Sequence, residues 1–143
     1  MANTKATITL SSTTDPITDN ALSISNMTEL RTAGTTTGIT ETTGLARVKT
    51  NSGSNTILLD FGLTSGVAAD VTADKSAKVY IKNCNERGDG TKYVDILVKT
   101  REIGRLYGKD WMFFPWSGGS GEDIEYTASD TTETTLEYCV FYE

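Results

Sequence analysis

This chain has no histidine, two cysteines, two prolines and no long apolar run. Each shortage removes a class of function. Without histidine, a Ser-His or Cys-His nucleophile is excluded because the base of the pair is missing. Cys84 and Cys139 cannot by themselves form a tetrahedral metal shell, so no metal site and no cofactor are expected. They lie in "VYIKNC" and "EYCVFY", strand-like settings where a reduced thiol serves as a small hydrophobe. A disulfide between adjacent strands is compatible with that placement but not required by it. No segment reaches the ~20 apolar residues of a membrane span. The start, "MANTKATITLSS", lacks the apolar centre of a signal peptide, so synthesis in the cytosol without export by the general route is expected.

Clusters of positive charge are missing as well. The 13 Lys and Arg residues are scattered singly among 19 Asp and Glu, for a net charge of −6. Phosphate contacts need concentrated cations, which argues against nucleic acid and an anionic membrane as main partners. Sustained helical periodicity is also absent. The nearest approach, "GVAADVTADKSA" at 66–77, predicts at most one short helical turn.

Period-2 alternation is what the chain has in quantity. In "KATITLSS", Ala6, Ile8 and Leu10 oppose Lys5, Thr7 and Thr9, the pattern of a half-buried strand. "ALSISNMTEL" alternates through Leu22 and Ile24, then skips to Met27, which suggests a bulge. "GLARVKT" and "NTILLDF" flank "NSGS", and "SAKVYIKN" and "KYVDILVKT" flank "NERGDG"; both pairs read as hairpins. Val79 and Ile81 oppose Lys78, Tyr80 and Lys82, while Val94, Ile96 and Val98 form the next inward set. "EIGRLY", "DWMFFPW", "DIEYTAS" and "TTLEYCVFYE" follow, with a tight turn at Gly108 and Lys109 and a loop at "SGGSGE". The sum is an all-β protein, an antiparallel jelly-roll-like β-sandwich of about nine or ten short strands. The length suits one domain over 1–143, with a Thr-rich loop or arm around 32–43 in which Ile39 is the one large apolar residue.

The stretch "GRLYGKDWMFFPW" holds five of the twelve aromatic residues, including both tryptophans. Alternation puts Trp111, Phe113 and Pro115 on one face and Met112, Phe114 and Trp116 on the other. Both faces are apolar, so both need cover. Cys139, Val140, Phe141 and Tyr142 make the same demand. One face is expected in the core and the other against a second subunit, which makes Trp111, Met112, Phe113, Phe114, Trp116, Phe141 and Tyr142 the candidate interface. Core filling with a loop as cover is the competing explanation. A stacked-aromatic sugar site beside Asp110, Glu122 and Asp123 is another. Asp110 with Glu122, Asp123 or Glu125 is the candidate glycosidase pair, although nineteen acids make such pairs common by chance. "RGD" at 87–89 reads as a β-turn, and "GDG" at 88–90 lacks the oxygen-ligand repeat of a calcium loop.

The pattern "YVDILVKTREIGRLYGKDWMFFPWSG…EDIEYTASDTTETTLEYCVFYE" resembles small β-sandwich virion proteins of tailed bacteriophages. There an "IGRLY-G-D-W/F-x-F-x-P-W" turn and strand precedes an acidic "DI-x-Y" strand, and a "T-x-E-Y-x-x-F" strand follows. The likeness covers about the last 65 residues. It implies a non-enzymatic virion protein made in the host bacterial cytoplasm, most simply a capsid decoration or cement protein. Its partners would be further copies of itself, commonly as a trimer, and a major capsid protein. The acidic balance suits the outside of a DNA-filled head. A tail, baseplate or fibre component touching glycans is the alternative, and a carboxylate-based glycosidase the third reading. No catalytic residue set is implied, because the matching positions are structural.

Overall fold

The computed structural model describes residues 4–11, 23–31, 39, 41–50, 53–60, 77–88, 90–117, 121–129 and 133–142. Among them are eleven strands and no helix: β1 (Lys5–Ser11), β2 (Ser23–Glu29), β3 (Glu41–Thr42), β4 (Ala46–Thr50), β5 (Thr56–Leu59), β6 (Ala77–Asn83), β7 (Tyr93–Val98), β8 (Arg101–Tyr107), β9 (Trp111–Trp116), β10 (Ile124–Ala128) and β11 (Thr134–Tyr142). The all-β expectation holds. The helical turn expected within 66–77 falls almost wholly outside the described residues, as do 32–38 and 40 of the Thr-rich segment. Residues 41–42 of that segment form β3, and Ile39, expected in an exposed loop, is buried.

The chain forms two compact units, residues 1–39 and 40–143. In the first, β1 and β2 pair antiparallel from Lys5–Glu29 to Ser11–Ser23 without a register shift. The bulge expected near Met27 is therefore not there. Ile8 and Leu10, expected on a half-buried face, are exposed, as are Ile24 and Met27. Period 2 records which face of a ribbon is apolar; it does not record whether a second layer covers that face.

The second unit is a two-layer sandwich. One sheet runs β5-β10-β7-β8; the other runs β4-β11-β6-β9, with β3 continuing beside β11 on the edge that β4 occupies. Apart from the β7–β8 hairpin, every connection from β4 to β11 passes from one sheet to the other. That order is the double Greek key of a jelly roll. It corrects two local expectations. β4 and β5 lie in different sheets, and so do β6 and β7, so "NSGS" and "NERGDG" cross the sandwich and close no hairpin. Gly, Asn and Asp serve both kinds of corner, and local sequence does not separate them. The true hairpin turns on Lys99 and Thr100, both at positive φ (51° and 63°), without a glycine to announce it.

The inward sets interleave as the alternation predicts. Val79, Ile81, Leu136 and Val140 from one sheet meet Leu59, Val94, Ile96 and Ile124 from the other, all fully buried. Asn83 is the most deeply buried polar side chain among the described residues, ahead of Thr134 and Glu137, and its polar atoms have partners. Its Nδ2 donates to the Leu106 carbonyl (3.0 Å), its Oδ1 accepts from Asn85 N (3.0 Å), and its backbone bonds Lys109 and Asp110. It therefore ties the end of β6 to the β8–β9 corner.

Candidate functional site

Strand β9 pairs with β6 alone among the described strands, so it forms one edge of its sheet. Its in-register partners are Ala77–Trp116, Val79–Phe114, Ile81–Met112, Tyr80–Phe113 and Lys82–Trp111. Paired residues share a face, so the buried Val79 and Ile81 draw Met112 and Phe114 inward. Trp116 is 3% exposed, and its Nε1 donates to the Glu122 carbonyl at 2.8 Å, which satisfies the indole inside the core. Trp111, Phe113 and Pro115 take the opposite, outer face. On β11 the same rule turns Tyr142 toward the core and leaves Phe141 outside, opposite Lys78. The seven candidate residues thus divide: Trp111, Phe113 and Phe141 lie on the outer face, while Met112, Phe114, Trp116 and Tyr142 face the core.

The outer face is ordered in rows. Arg47, Glu137, Lys82 and Trp111 stand in register across β4, β11, β6 and β9. Cys139, Tyr80 and Phe113 form the next row, and Phe141, Lys78 and Pro115 the third. Trp111 is 51% exposed and leans on Tyr80, with ring centroids 6.4 Å apart at 38°. Glu137, although on this outer face, is buried by its partners. Arg47 Nε donates to its carboxylate at 2.9 Å, Arg47 Nη2 lies 2.7 Å away, and the Tyr80 hydroxyl donates at 3.4 Å. The Glu137 carboxylate, through its hydrogen bond and then its charge, holds the Arg47 guanidinium still further above its ordinary range. Burial first, and the Glu137 charge second, push the Tyr80 phenol up from its ordinary value. The arrangement is a fixed aromatic platform bordered by cations, on a protein that is acidic overall.

Tyr80, Lys78, Lys82, Arg47 and Glu137 were absent from the candidate set drawn from sequence. The outward period of "AKVYIKN" marked the first three as a face. Nothing local says that this face continues into β9 and β11.

Asp110, the carboxylate common to the candidate pairs, sits on a different element from its proposed partners: Glu122 and Asp123 share the β9–β10 connection, and Glu125 is on β10. Asp110 belongs to the β8–β9 corner, where its Oδ2 accepts from Tyr107 N (3.2 Å). Glu122 follows the far end of β9, a strand about 17 Å long, and accepts from Ser117. Glu125 is on β10 and accepts from Asn55 Nδ2 (3.2 Å). The length of β9 exceeds the roughly 5–9.5 Å that separates paired glycosidase carboxylates. Cys84 and Cys139 are both free thiols, and Cys139 is buried, with Sγ 3.3 Å from Thr42 Oγ1. No group of three or more metal-ligating side chains occurs among the described residues. In the "RGD" run, Asp89 lies outside the described residues.

No protein-family model matches this chain, and no curated protein matches its sequence.

Proposed function

We propose that this chain is a structural protein of a tailed-bacteriophage particle, a capsid decoration or cement protein that works as a homo-oligomer on the outer shell. The observation that carries the reading is the outer side of β9. Trp111 is half exposed beside Tyr80 and Phe113, on an edge strand with no second partner among the described strands. An apolar edge of this kind invites pairing with another chain. Natural proteins blunt such edges unless they use them. Pro115 within β9 blunts main-chain pairing at its own end of this edge, so the contact proposed is side-chain burial around Trp111. The resemblance of the C-terminal half to phage virion proteins supports the same reading. The role is mechanical: apolar surface is buried across junctions between shell subunits, and that burial resists internal pressure.

The test is the position and mass of the protein. Electron microscopy of purified particles should place the chain on the shell, and native mass should give an oligomer, a trimer on this reading. Density in the tail, or a chain that stays monomeric and does not bind bare shells, would reject the proposal.

A further inference from the structure

The ribbon of β1 and β2 has two faces of different chemistry. Its register sets Ala6 beside Thr28, Ile8 beside Asn26 and Leu10 beside Ile24 on one face. Lys5 with Glu29, Thr7 with Met27, Thr9 with Ser25 and Ser11 with Ser23 take the other. The first face carries three large aliphatic side chains and no ionisable group at its six positions. It is closed at one end and open at the other. At the root, Leu30 and Ile39 are buried, and the main chain ties Leu30 N to the Thr4 carbonyl (2.8 Å) and Ile39 N to the Leu30 carbonyl (3.2 Å). Further out, Ile8 is 39% exposed, Ile24 46% and Leu10 53%.

Among the described strands, β1 and β2 pair only with each other, and residues 1–39 are a compact unit of their own. A two-stranded ribbon is marginal in water until its apolar face is covered. The chemistry of the face selects the cover. Its six positions hold no carboxylate to answer Lys78 and Lys82, which stand in the aromatic rows of the β9 outer face. Aliphatic cover there would desolvate the ammonium groups for no return. The same face on a second copy matches it throughout. Copies of a chain with net charge −6 repel, and least where no ionisable group meets its own image. Ile8, Leu10 and Ile24 would meet aliphatic side chains at the ~10 Å spacing of packed sheets. Asn26 offers amide donors and an acceptor, and Thr28 a hydroxyl, so the polar positions satisfy one another across a symmetry axis. We propose that the β1–β2 ribbon is an assembly arm, whose Ile8, Leu10 and Ile24 pack on the same face of a second copy's ribbon. The inference rests on the homo-oligomer part of the shell-protein reading and adds a contact separate from β9.

The experiment mixes full chain labelled with ¹³C at its methyl groups with unlabelled chain, refolds them together, and records isotope-filtered NOEs between copies. Cross-peaks should join the Ile8, Leu10 and Ile24 methyls of one copy to the same residues of another. Leu10→Asp sets like charges against each other at the centre of the contact and should weaken association about a hundredfold by native mass. Thr9→Asp, one residue away on the opposite face, should assemble like the parent. The near-ultraviolet signal of the buried Trp116 should be unchanged in both variants, because the ribbon is a separate unit from the sandwich. The arm is overturned if no cross-peak joins two copies, or if the ribbon methyls instead meet Trp111 and Phe113 of another copy. It is equally overturned if these methyls shift with phosphatidylcholine vesicles and not with protein concentration, if Leu10→Asp assembles like the parent, or if Thr9→Asp dissociates as fully as Leu10→Asp. Assembly that survives Leu10→Asp but not Trp111→Ala would remove the arm and leave the shell-protein reading in place. Ribbon cross-peaks between copies of a protein found in the tail would do the reverse.

Discussion

Trp111 and Trp116, five residues apart on one strand, stand on opposite faces of the same sheet: Trp116 is buried at 3% exposure and Trp111 is open at 51%. An odd separation along a strand forces this division. Their substitutions should therefore separate by phenotype. Trp116→Ala removes a core side chain and its bond to Glu122, and should destabilise folding by about 3–5 kcal/mol. Trp111→Ala should change stability by less than about 0.5 kcal/mol. If the β9 outer face is a subunit contact, it should weaken association by about 2 kcal/mol, roughly thirtyfold. Thermal melting beside native mass for each variant reads both effects. Normal assembly by a folded Trp111→Ala protein would remove Trp111 from the proposed interface.

Gly108 should be intolerant of any side chain. Its φ is not in the left-handed region; the obstacle is the Glu86 backbone, 2.2 Å from where a Cβ would sit. Backbone cannot rotate away as a side chain can, so Gly108→Ala should cost about 1–3 kcal/mol by overpacking. Gly90→Ala, with open space around the added carbon, should be near neutral. Urea unfolding of both variants makes the comparison, and equal midpoints would show that the β6–β7 and β8–β9 connections separate easily.

The β7–β8 turn offers the opposite case. Lys99 and Thr100 both hold positive φ, and Thr is β-branched, so the turn stores strain that Asn-Gly would not. Lys99→Asn with Thr100→Gly should raise stability by about 1 kcal/mol, read as a higher urea midpoint at unchanged slope. A lowered midpoint would mean that the native side chains contribute contacts worth more than the strain.

Stability should fall in alkali. The Tyr80 phenol is raised by burial and then by the Glu137 charge, and the Tyr138 phenol by burial. A raised phenol keeps its proton in the native state at a pH where the unfolded chain has lost it. Unfolding then releases protons, and stability declines as pH rises from about 10 through the raised values. Below about pH 9 neither phenol contributes a slope. Tyr138→Phe and Tyr80→Phe should each flatten the decline above about pH 10, as measured by denaturant midpoints. An unchanged slope in the double variant would assign the effect to other groups.

Much of this protein was legible in its sequence. Alternation alone named Val79, Ile81, Val94 and Ile96 as inward residues, placed most strands, and divided "WMFFPW" into two apolar faces, because side-chain direction in a strand has a period of two whatever the strand pairs with. Pairing was not legible. The corners "NSGS" and "NERGDG" carry the residues of a hairpin, yet they lead across the sandwich; a turn's composition reflects its local φ, and its destination depends on which distant strand offers the better apolar partner. Likewise, the choice of which β9 face became the core fell to Val79 and Ile81, more than thirty residues earlier. The row of Arg47, Glu137, Lys82 and Trp111 exists only because four strands far apart in the chain hydrogen-bond in one register. Local sequence set the faces through backbone geometry, and the tertiary fold decided which face is covered and which neighbours it meets, because burial is a property of the whole packed sandwich.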